Sequence, residues 1–228
     1  MAEQHNILVI LGHPAAGSLC AGMARAYADG AQQAGAKVRF LDVGQLAFNP
    51  LFQGYGAVQP LEPDLLAAQA DITWAHHLVW VYPIWWGAMP ALLKGFIDRV
   101  LLPGYAFKYR KGSSLWDKLL AGRSAELLVT MDSPPWYFRW VTRMPGHHQM
   151  KKAILEFCGI RPVQVHSFGP VRSASADRLA LWVEKARQLG LRQGARSAPG
   201  KPRPASVTSS PSPLSLIHIS EPTRPLYI

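Results

Sequence analysis

The sequence predicts an α/β protein built on a doubly wound, five-stranded parallel sheet with helices on both faces. Strand-like and helix-like segments alternate up to about residue 190, which is typical of parallel strands connected by helices. The strand-like segments are mostly apolar on both faces, as expected for a sheet that is covered on two sides. Three irregular loops, at 12–18, 83–90 and 132–147, each follow a strand, so they fall together at the edge where such sheets bind ligands.

Each element rests on its own local pattern. Continuous apolar or β-branched runs predict strands at 6–11, 37–42, 78–82, 124–131 and 163–168. Apolar residues spaced three and four apart predict helices at 19–34, 63–71, 91–102, 149–157 and 175–189. Gly35 and Gly159 end two of these helices, and Pro63 lies in the first turn of another, where a missing N–H is tolerated.

Length and charge limit the class of partner. The 228 residues allow one domain of ordinary size with a full core, which we expect to span 1–193. The net charge is +10, and the segment from Gly194 onward carries four basic residues and one acidic residue, which leaves about +7 on the folded part. Because no Lys/Arg cluster follows a single helix, we expect phosphate-bearing cofactors and no nucleic acid.

The cysteines and the N-terminus predict a compartment. Cys20 and Cys158 form no C-x-x-C motif, which favours a reduced, cytoplasmic protein. The first residues lack the layout of a signal peptide. The most apolar long window, 78–102, contains two prolines and three charged residues, so no stable membrane insertion is predicted.

The C-terminal segment 194–228 differs in composition from the rest of the chain. It is rich in Ala, Pro, Ser and basic residues and has no periodicity, so we expect a disordered tail. Its last part, from about 214 to 228, resembles the in-frame translation of a sequencing-library adapter. No function is assigned to it.

Two adjacent tryptophans, Trp85 and Trp86, lie in the loop between the third strand and the third helix. Each indole carries an N–H that needs a partner when buried, so burying both beyond a strand end is costly. The residues alone leave two alternatives open, a wide aromatic corner of the core or a wall for a flat ligand. The first loop lies at the same sheet edge, which favours the wall.

The first loop reads Gly12-x4-Gly17-Ser18. It lacks the lysine of a nucleoside triphosphate loop, so phosphoryl transfer is not predicted. Its amides and the Ser18 hydroxyl face the start of a helix, which suits one phosphate monoester. A glycine turn capped by Ser18 is the structural alternative.

Four segments together resemble the NAD(P)H:quinone oxidoreductase family, which has the flavodoxin-like fold. They are Ile7-Leu-Val-Ile-Leu-Gly-His-Pro with Gly17-Ser18, Tyr82-Pro-Ile-Trp-Trp-Gly-Ala-Met-Pro and its helix to 100, Gly104-Tyr-Ala-Phe107, and Phe157-Cys-Gly-Ile160. The family includes DT-diaphorase, drug-activity-modulator quinone reductases and the oxidoreductase partners of potassium efflux systems. The resemblance, over about 6–190, implies a homodimeric two-electron flavoenzyme. It would carry FMN, with FAD as the alternative, use NAD(P)H as co-substrate and reduce a quinone or nitroaromatic acceptor.

The resemblance also implies site residues. The flavin phosphate would be bound by His13, Ser18, Leu19 and Cys20. The ring would be contacted by Pro83, Ile84, Trp85 and Trp86 on one side and by Thr130, Met131, Asp132 and Ser133 on the other. Tyr137 and His147 follow at the positions of a tyrosine and a histidine that relatives use near the flavin, so they are the candidate catalytic residues. No metal ligands are expected. Cys20 replaces an Asn common in relatives, and 130–135 replaces Thr-Thr-Gly-Gly, so those contacts must differ.

Two other functions remain open from the sequence. A flavodoxin-type electron carrier shares the fold, but such carriers are generally acidic, whereas this chain is basic. A flavin- and nucleotide-binding regulatory subunit of a potassium efflux system is also compatible with the family resemblance.

Overall fold

A computed structural model describes residues 4–55, 59–110 and 112–196 of the chain. The predicted tail and the adapter-like segment lie almost entirely at 197–228, outside the described residues. The boundary predicted at 193 falls at the end of the last helix, which runs to Gly194.

The central feature is a five-stranded sheet in which every pairing is parallel. Its strands are β1 (Asn6–Leu11), β2 (Lys37–Asp42), β3 (His77–Pro83), β6 (Ser124–Thr130) and β7 (Val163–Phe168). Their order is β2-β1-β3-β6-β7, the 2-1-3-4-5 order of flavodoxin-like sheets. The predicted fold class is therefore confirmed, and all five carboxyl ends meet at one edge.

Helices cover both faces of this sheet. They are α1 (Leu19–Gln33), α2 (Pro63–Trp74), α3 (Ala91–Val100), α4 (Pro135–Trp140), α5 (Pro145–His148), α6 (Glu156–Cys158) and α7 (Ala176–Gly194). A short 3-10 turn follows β2 at Val43–Gln45, and a π-helical stretch at Gln149–Leu155 joins α5 to α6. None of the helices in the described part of the chain is long and apolar enough to cross a membrane.

The alternation of side chains along β1 explains its unbroken apolar sequence. Ile7, Val9 and Leu11 are fully buried in one core cluster, with residues of α1 and α7. Leu8 and Ile10 are fully buried in the other, with residues of α2 and α3. Because successive side chains of a strand point to opposite faces, a strand between two helical layers buries its side chains on both faces, and these side chains are therefore apolar.

The structure adds elements that the sequence patterns do not predict. The strands β4 (Phe107–Tyr109) and β5 (Trp116–Lys118) form a separate antiparallel hairpin, and three residues are too few to show a two-residue period. The helix α4 lies inside the predicted loop 132–147. The helix predicted at 149–157 is wound mostly as a π-helix, which the spacing of apolar residues does not reveal.

Candidate functional site at the carboxyl edge of the sheet

The first loop presents a helix N-terminus at the sheet edge. Its course is fixed at the start by Gly12, whose N–H donates to the Val81 carbonyl at 2.8 Å. Ser18 is the N-cap of α1, and its Oγ accepts from the Ala21 N–H at 3.2 Å. The first amides of a helix have no partner within the helix, so the start of α1 offers donors and a partial positive charge to an anion.

The second loop is a tight turn that separates the two tryptophans. The backbones of Trp85 and Ala88 exchange two hydrogen bonds of 2.9 and 3.0 Å. Trp86 and Gly87 between them have φ values of 51° and 78°, the signature of a type I′ turn. Trp85 is exposed (45%), with its indole 5.5 Å from the His13 ring and at 74° to it. Trp86 is fully exposed at the tip.

Backbone hydrogen bonds tie the third loop to its neighbours. The Ile84 N–H donates to the Thr130 carbonyl at 2.7 Å, so the loops after β3 and β6 leave the sheet side by side. The Met131 carbonyl accepts from the Val171 N–H at 3.0 Å. Asp132 Oδ1 accepts from the Arg172 N–H at 2.9 Å, which fixes the loop after β7 against the loop after β6.

These loops enclose an open cleft of about 180 Å³. It is lined by His13, Ser18, Leu19, Cys20, Pro83, Ile84, Trp85, Thr130, Met131, Asp132 and Val171. The donors of the α1 N-terminus therefore share one cleft with a flat indole and several aliphatic side chains. An anionic group attached to a flat apolar ring would find both of its parts complemented here.

The lining includes most, but not all, of the residues predicted to bind a cofactor. Trp86 and Ser133 do not line the cleft. In the case of Trp86, the turn directs the side chain into solvent. Val171 lines it but was missed by the sequence reasoning, which considered the loops after β1, β3 and β6 only. The signal available was its position directly beyond β7, at the same sheet edge.

Tyr137 and His147 lie outside the lining residues. Tyr137 is on α4, 41% exposed, with its ring edge-on to Trp136 at 5.9 Å. His147 is on α5 and is buried, and its Nε2 lies 2.9 Å from Ser167 Oγ on β7. Burial, aided by the nearby His148, lowers the pKa of His147 to about 4, so its ring is neutral at pH 7.

The helix α5 supports the cleft from behind. A Cβ added to Gly146 would lie 2.6 Å from the Gly87 carbonyl oxygen and 2.9 Å from the Ile84 side chain. The helix therefore packs directly against the tryptophan turn and against one lining residue. His147, next in sequence, anchors this helix to β7 through Ser167.

The titratable lining groups are poorly suited to acid–base or nucleophilic chemistry of their own. Burial raises the pKa of Cys20 to about 11, which keeps its thiol protonated. Burial lowers the pKa of His13, and its Nδ1 accepts from the Ala15 N–H at 2.9 Å. Asp132 is engaged by the Arg172 amide. The cleft is therefore equipped to bind and orient a group that supplies the chemistry.

Known proteins are similar to this chain in sequence or in fold. An uncharacterized NAD(P)H oxidoreductase of Haemophilus influenzae is 29% identical over 189 residues, which is 80% of this chain and 93% of that protein. Ribosyldihydronicotinamide dehydrogenase (quinone) of Rattus norvegicus is 32% identical over 143 residues, which is 57% of this chain and 58% of that enzyme. An FMN-dependent NADH-azoreductase of Bacillus anthracis, solved in complex with FMN, has a TM-score of 0.65 at 16% identity, and the match covers 84% of this chain and 100% of that one.

The azoreductase is similar to this chain in fold only. The other two proteins are similar to it in sequence. A family model described as the flavodoxin-like fold matches residues 5–189. That range runs from the residue before β1 into the last helix, so it includes the whole sheet and every loop of the cleft. The chain belongs to the flavodoxin-like fold family.

Proposed function

We propose that the protein is a flavin-dependent NAD(P)H oxidoreductase that passes two electrons from NAD(P)H, through bound FMN, to a quinone or a similar flat acceptor such as a nitroaromatic. The observation that carries the proposal is the pairing in one cleft of a helix N-terminus capped by Ser18 with the accessible indole of Trp85. The relatives named NAD(P)H oxidoreductase and quinone dehydrogenase support the reaction class. The FMN-bound fold neighbour supports the cofactor.

The residues present fit FMN. The phosphate would be held by the first amides of α1 and by Ser18, which supply donors and a favourable dipole without a lysine. Leu19, Ile84, Trp85 and Met131 offer apolar surface to the ring system. The available 180 Å³ is below the roughly 300–1,000 Å³ of sites that bury most of a drug-sized ligand. One copy of the chain would therefore cover only part of the cofactor.

A homodimer is part of the proposal because the open side of the cleft needs a cover. Trp86 and, on α4, Trp136 and Trp140 are all strongly exposed. Exposed aromatic clusters on a protein surface mark interaction sites. A second copy that covers these side chains would also close the flavin from water, and a flat acceptor would enter between the two chains.

The protein's own part in the reaction is positioning. When bound, FMN supplies the acceptance and donation of hydride. Trp85 and the loop from Thr130 to Asp132 would hold the ring from two sides. Backbone amides at the cleft would stabilise negative charge on the reduced ring.

For His147 we propose a positioning role, because it anchors α5 behind Ile84 and is neutral at pH 7. Tyr137 is proposed as a hydrogen-bond donor to the bound acceptor from the α4 side of the cleft. A cytoplasmic location completes the proposal, since both cysteines are free thiols and the reductant NAD(P)H is a cytoplasmic metabolite.

The test begins with the visible absorption spectrum of the full-length protein after reconstitution with FMN. Anaerobic NADH or NADPH should bleach the flavin, and menadione should restore its colour over many turnovers. A protein that retains no flavin would overturn the proposal. Flavin that binds but is never reduced by either nucleotide would point instead to an electron carrier.

A pair of tryptophan variants tests the site itself. Trp85→Ala should weaken FMN binding, whereas Trp74→Ala, which removes a partly buried indole at the end of α2, outside both the cleft and the proposed dimer cover, should leave FMN binding unchanged. Equal FMN affinity in both variants would mean that the Trp85 indole contributes packing only.

A further inference from the structure

One side chain of the cleft lining carries a charge of the same sign as the proposed occupant. Among the described residues that line the cleft, Asp132 is the only acidic one, and no lysine or arginine lines it. Burial lowers the pKa of His13 and raises the pKa of Cys20 to about 11, so both side chains are neutral at pH 8. The lining therefore carries one formal charge, and that charge is negative.

Hydrogen bonds to the residues beyond β7 fix Asp132 in the wall of the cleft. The Met131 N–H donates to the Phe168 carbonyl at 2.9 Å, and the Met131 carbonyl accepts from the Val171 N–H at 3.0 Å. Asp132 Oδ1 itself accepts from the Arg172 N–H at 2.9 Å. The backbone before the carboxylate and the carboxylate itself are thus bonded to the same neighbouring loop, which gives the charge a defined position.

The charge of Asp132 is not compensated by a neighbouring cation. Arg172 contributes its backbone N–H to the contact, and no Lys, Arg or His in the part of the chain that the structure describes forms an ion pair with Asp132. Other acids, such as Asp71 and Asp117, pair with arginines. Asp132 is exposed, so water screens its charge without removing it.

A fixed negative charge acts differently on the oxidised and reduced forms of a bound flavin. Two electrons and one proton added to the ring of FMN leave the ring with one negative charge. Two like charges a few ångströms apart shift an equilibrium by about fivefold in a water-like dielectric, and by more in a protein-like one. Backbone amides at the cleft act in the opposite sense, but a change of the Asp132 side chain leaves them in place. The contribution of the carboxylate can therefore be measured separately.

We propose that Asp132 lowers the reduction potential of the bound flavin by disfavouring negative charge on the reduced ring, an inference that rests on the function proposed above. Its role is to adjust the electronics of the cofactor. A lower potential makes the transfer of electrons to the acceptor more favourable and the reduction by NAD(P)H correspondingly less so. The acceptors that can be reduced then extend to lower potential, which is the range of nitroaromatics.

The test measures the potential of FMN bound to the full-length protein, by anaerobic equilibration with reference dyes at pH 8. Asp132→Asn keeps an oxygen that can accept from the Arg172 N–H and removes the charge. The variant should favour the reduced flavin about fivefold relative to the native protein, which raises the potential by about 20 mV for a two-electron couple. Asp29→Asn removes an exposed acid of α1 outside the cleft and should leave the potential unchanged.

Two further measurements separate the charge from a structural role. Asp132→Glu retains the charge but alters the hydrogen bond to Arg172, so its potential should stay close to that of the native protein. The difference between the native protein and Asp132→Asn should shrink by more than half between about 0.01 M and 1 M salt, because the Debye length falls from about 30 Å to about 3 Å. A difference that persists in 1 M salt, or an equal shift in Asp132→Glu, would assign the effect to loop geometry and overturn the proposal.

The outcomes also separate this inference from the proposed function. A native protein that binds no FMN would refute both. A native protein whose FMN is reduced by NAD(P)H, but whose potential equals that of Asp132→Asn, would refute only the role of Asp132. A potential that rises equally in Asp29→Asn would show a general effect of net charge and would likewise remove Asp132 from this role.

Discussion

Cys20 Sγ lies 3.3 Å from Thr130 Oγ1, and this contact joins the first turn of α1 to the end of β6 across the floor of the cleft. The thiol is 2% exposed, and burial raises its pKa to about 11. Cys158 is also buried, with a pKa raised to about 12. Both thiols are therefore protonated at neutral pH, and neither resembles a reactive cysteine, whose pKa is lowered by its surroundings.

The first prediction is that neither cysteine reacts with a thiol reagent in the native protein. At pH 8 the thiolate fraction of Cys20 should be on the order of one in a thousand, and the side chain is inaccessible. Ellman's reagent should detect two thiols in urea and none within minutes in its absence. Rapid stoichiometric labelling of native Cys20 would show that the contact with Thr130 opens readily.

The second prediction separates two N-caps of the same type. Ser18 Oγ accepts from Ala21 N–H at the start of α1, and Ser175 Oγ accepts from Arg178 N–H at the start of α7. Ser18→Ala and Ser175→Ala should each lower the free energy of unfolding by about 1 kcal/mol. Only Ser18→Ala should also weaken FMN binding, because only α1 begins at the cleft.

Urea denaturation and a fluorescence titration with FMN measure the two effects independently. Ser175→Ala serves as the control for any loss of affinity that follows from lower stability alone. If both variants bind FMN as tightly as the native protein, the phosphate does not use the Ser18 hydroxyl.

The fold could be predicted where a local pattern settles the structure. The run 6–11 was predicted with the bounds that the structure has, because a strand buried on both faces is apolar almost throughout. The hairpin of β4 and β5 could not be predicted from a local pattern. Its three-residue strands are stabilised by tertiary contacts such as the hydrogen bond from Trp116 Nε1 to the Phe157 carbonyl.

The site was predictable where strand ends alone determine position, and less so where packing decides. Pro83 ends β3, and Ile84 and Trp85 follow it directly, so these residues lie at the cleft. Trp86 is one residue further, but the positive φ values of the turn direct it away. The burial of His147 depends on its contacts with Phe138 and Ser167. These contacts are distant in sequence, so no local pattern predicts them.

The third prediction concerns acid stability. His77 begins β3, is 2% exposed and has a pKa that burial lowers to about 3, with smaller contributions from the neighbouring His5 and Arg196. The unfolded histidine titrates near 6.5. Between these values the unfolded chain binds a proton that the folded chain does not. The free energy of unfolding should therefore fall below pH 6.5, by up to about 1.4 kcal/mol per pH unit from this group.

Urea unfolding between pH 5 and 8 measures this slope. In His77→Gln the hydrogen bond to Ser124 Oγ, 2.8 Å in the native protein, is altered, so the absolute stability can change. The slope of the free energy of unfolding against pH below pH 6.5 should nevertheless decrease by up to about 1.4 kcal/mol per pH unit, which corresponds to one bound proton. His147, with a pKa of about 4, contributes a slope of the same sign that the variant retains. Equal slopes in both proteins would contradict the prediction.

The fourth prediction reverses the usual sign of a glycine substitution. A Cβ on Gly30 of α1 would collide with the Arg187 carbonyl, and one on Gly190 of α7 with the Tyr27 carbonyl. Gly30→Ala and Gly190→Ala should each destabilise by roughly 2 kcal/mol because backbone must move. Gly22→Ala, also in α1, meets only a Val183 methyl group at 3.8 Å and should stabilise by about 0.5–1 kcal/mol. Urea denaturation distinguishes them; stabilisation by all three would mean that the two helices separate easily.

The last prediction concerns Trp86, whose backbone is held at φ 51° while its indole is fully exposed. A bulky residue in the left-handed region costs about 1 kcal/mol relative to glycine, and an exposed indole recovers nothing within the single chain. Trp86→Gly should therefore raise the free energy of unfolding of the dilute monomer by about that amount, as measured by urea denaturation. If the indole is retained because it packs against a second copy, the same variant should weaken self-association in sedimentation equilibrium. Gly87→Ala, which puts a Cβ at φ 78° in the same turn and 3.4 Å from Pro145, should instead lower stability. A Trp86→Gly protein that is less stable as a monomer and associates as before would place the indole in the chain's own packing and remove it from the proposed interface.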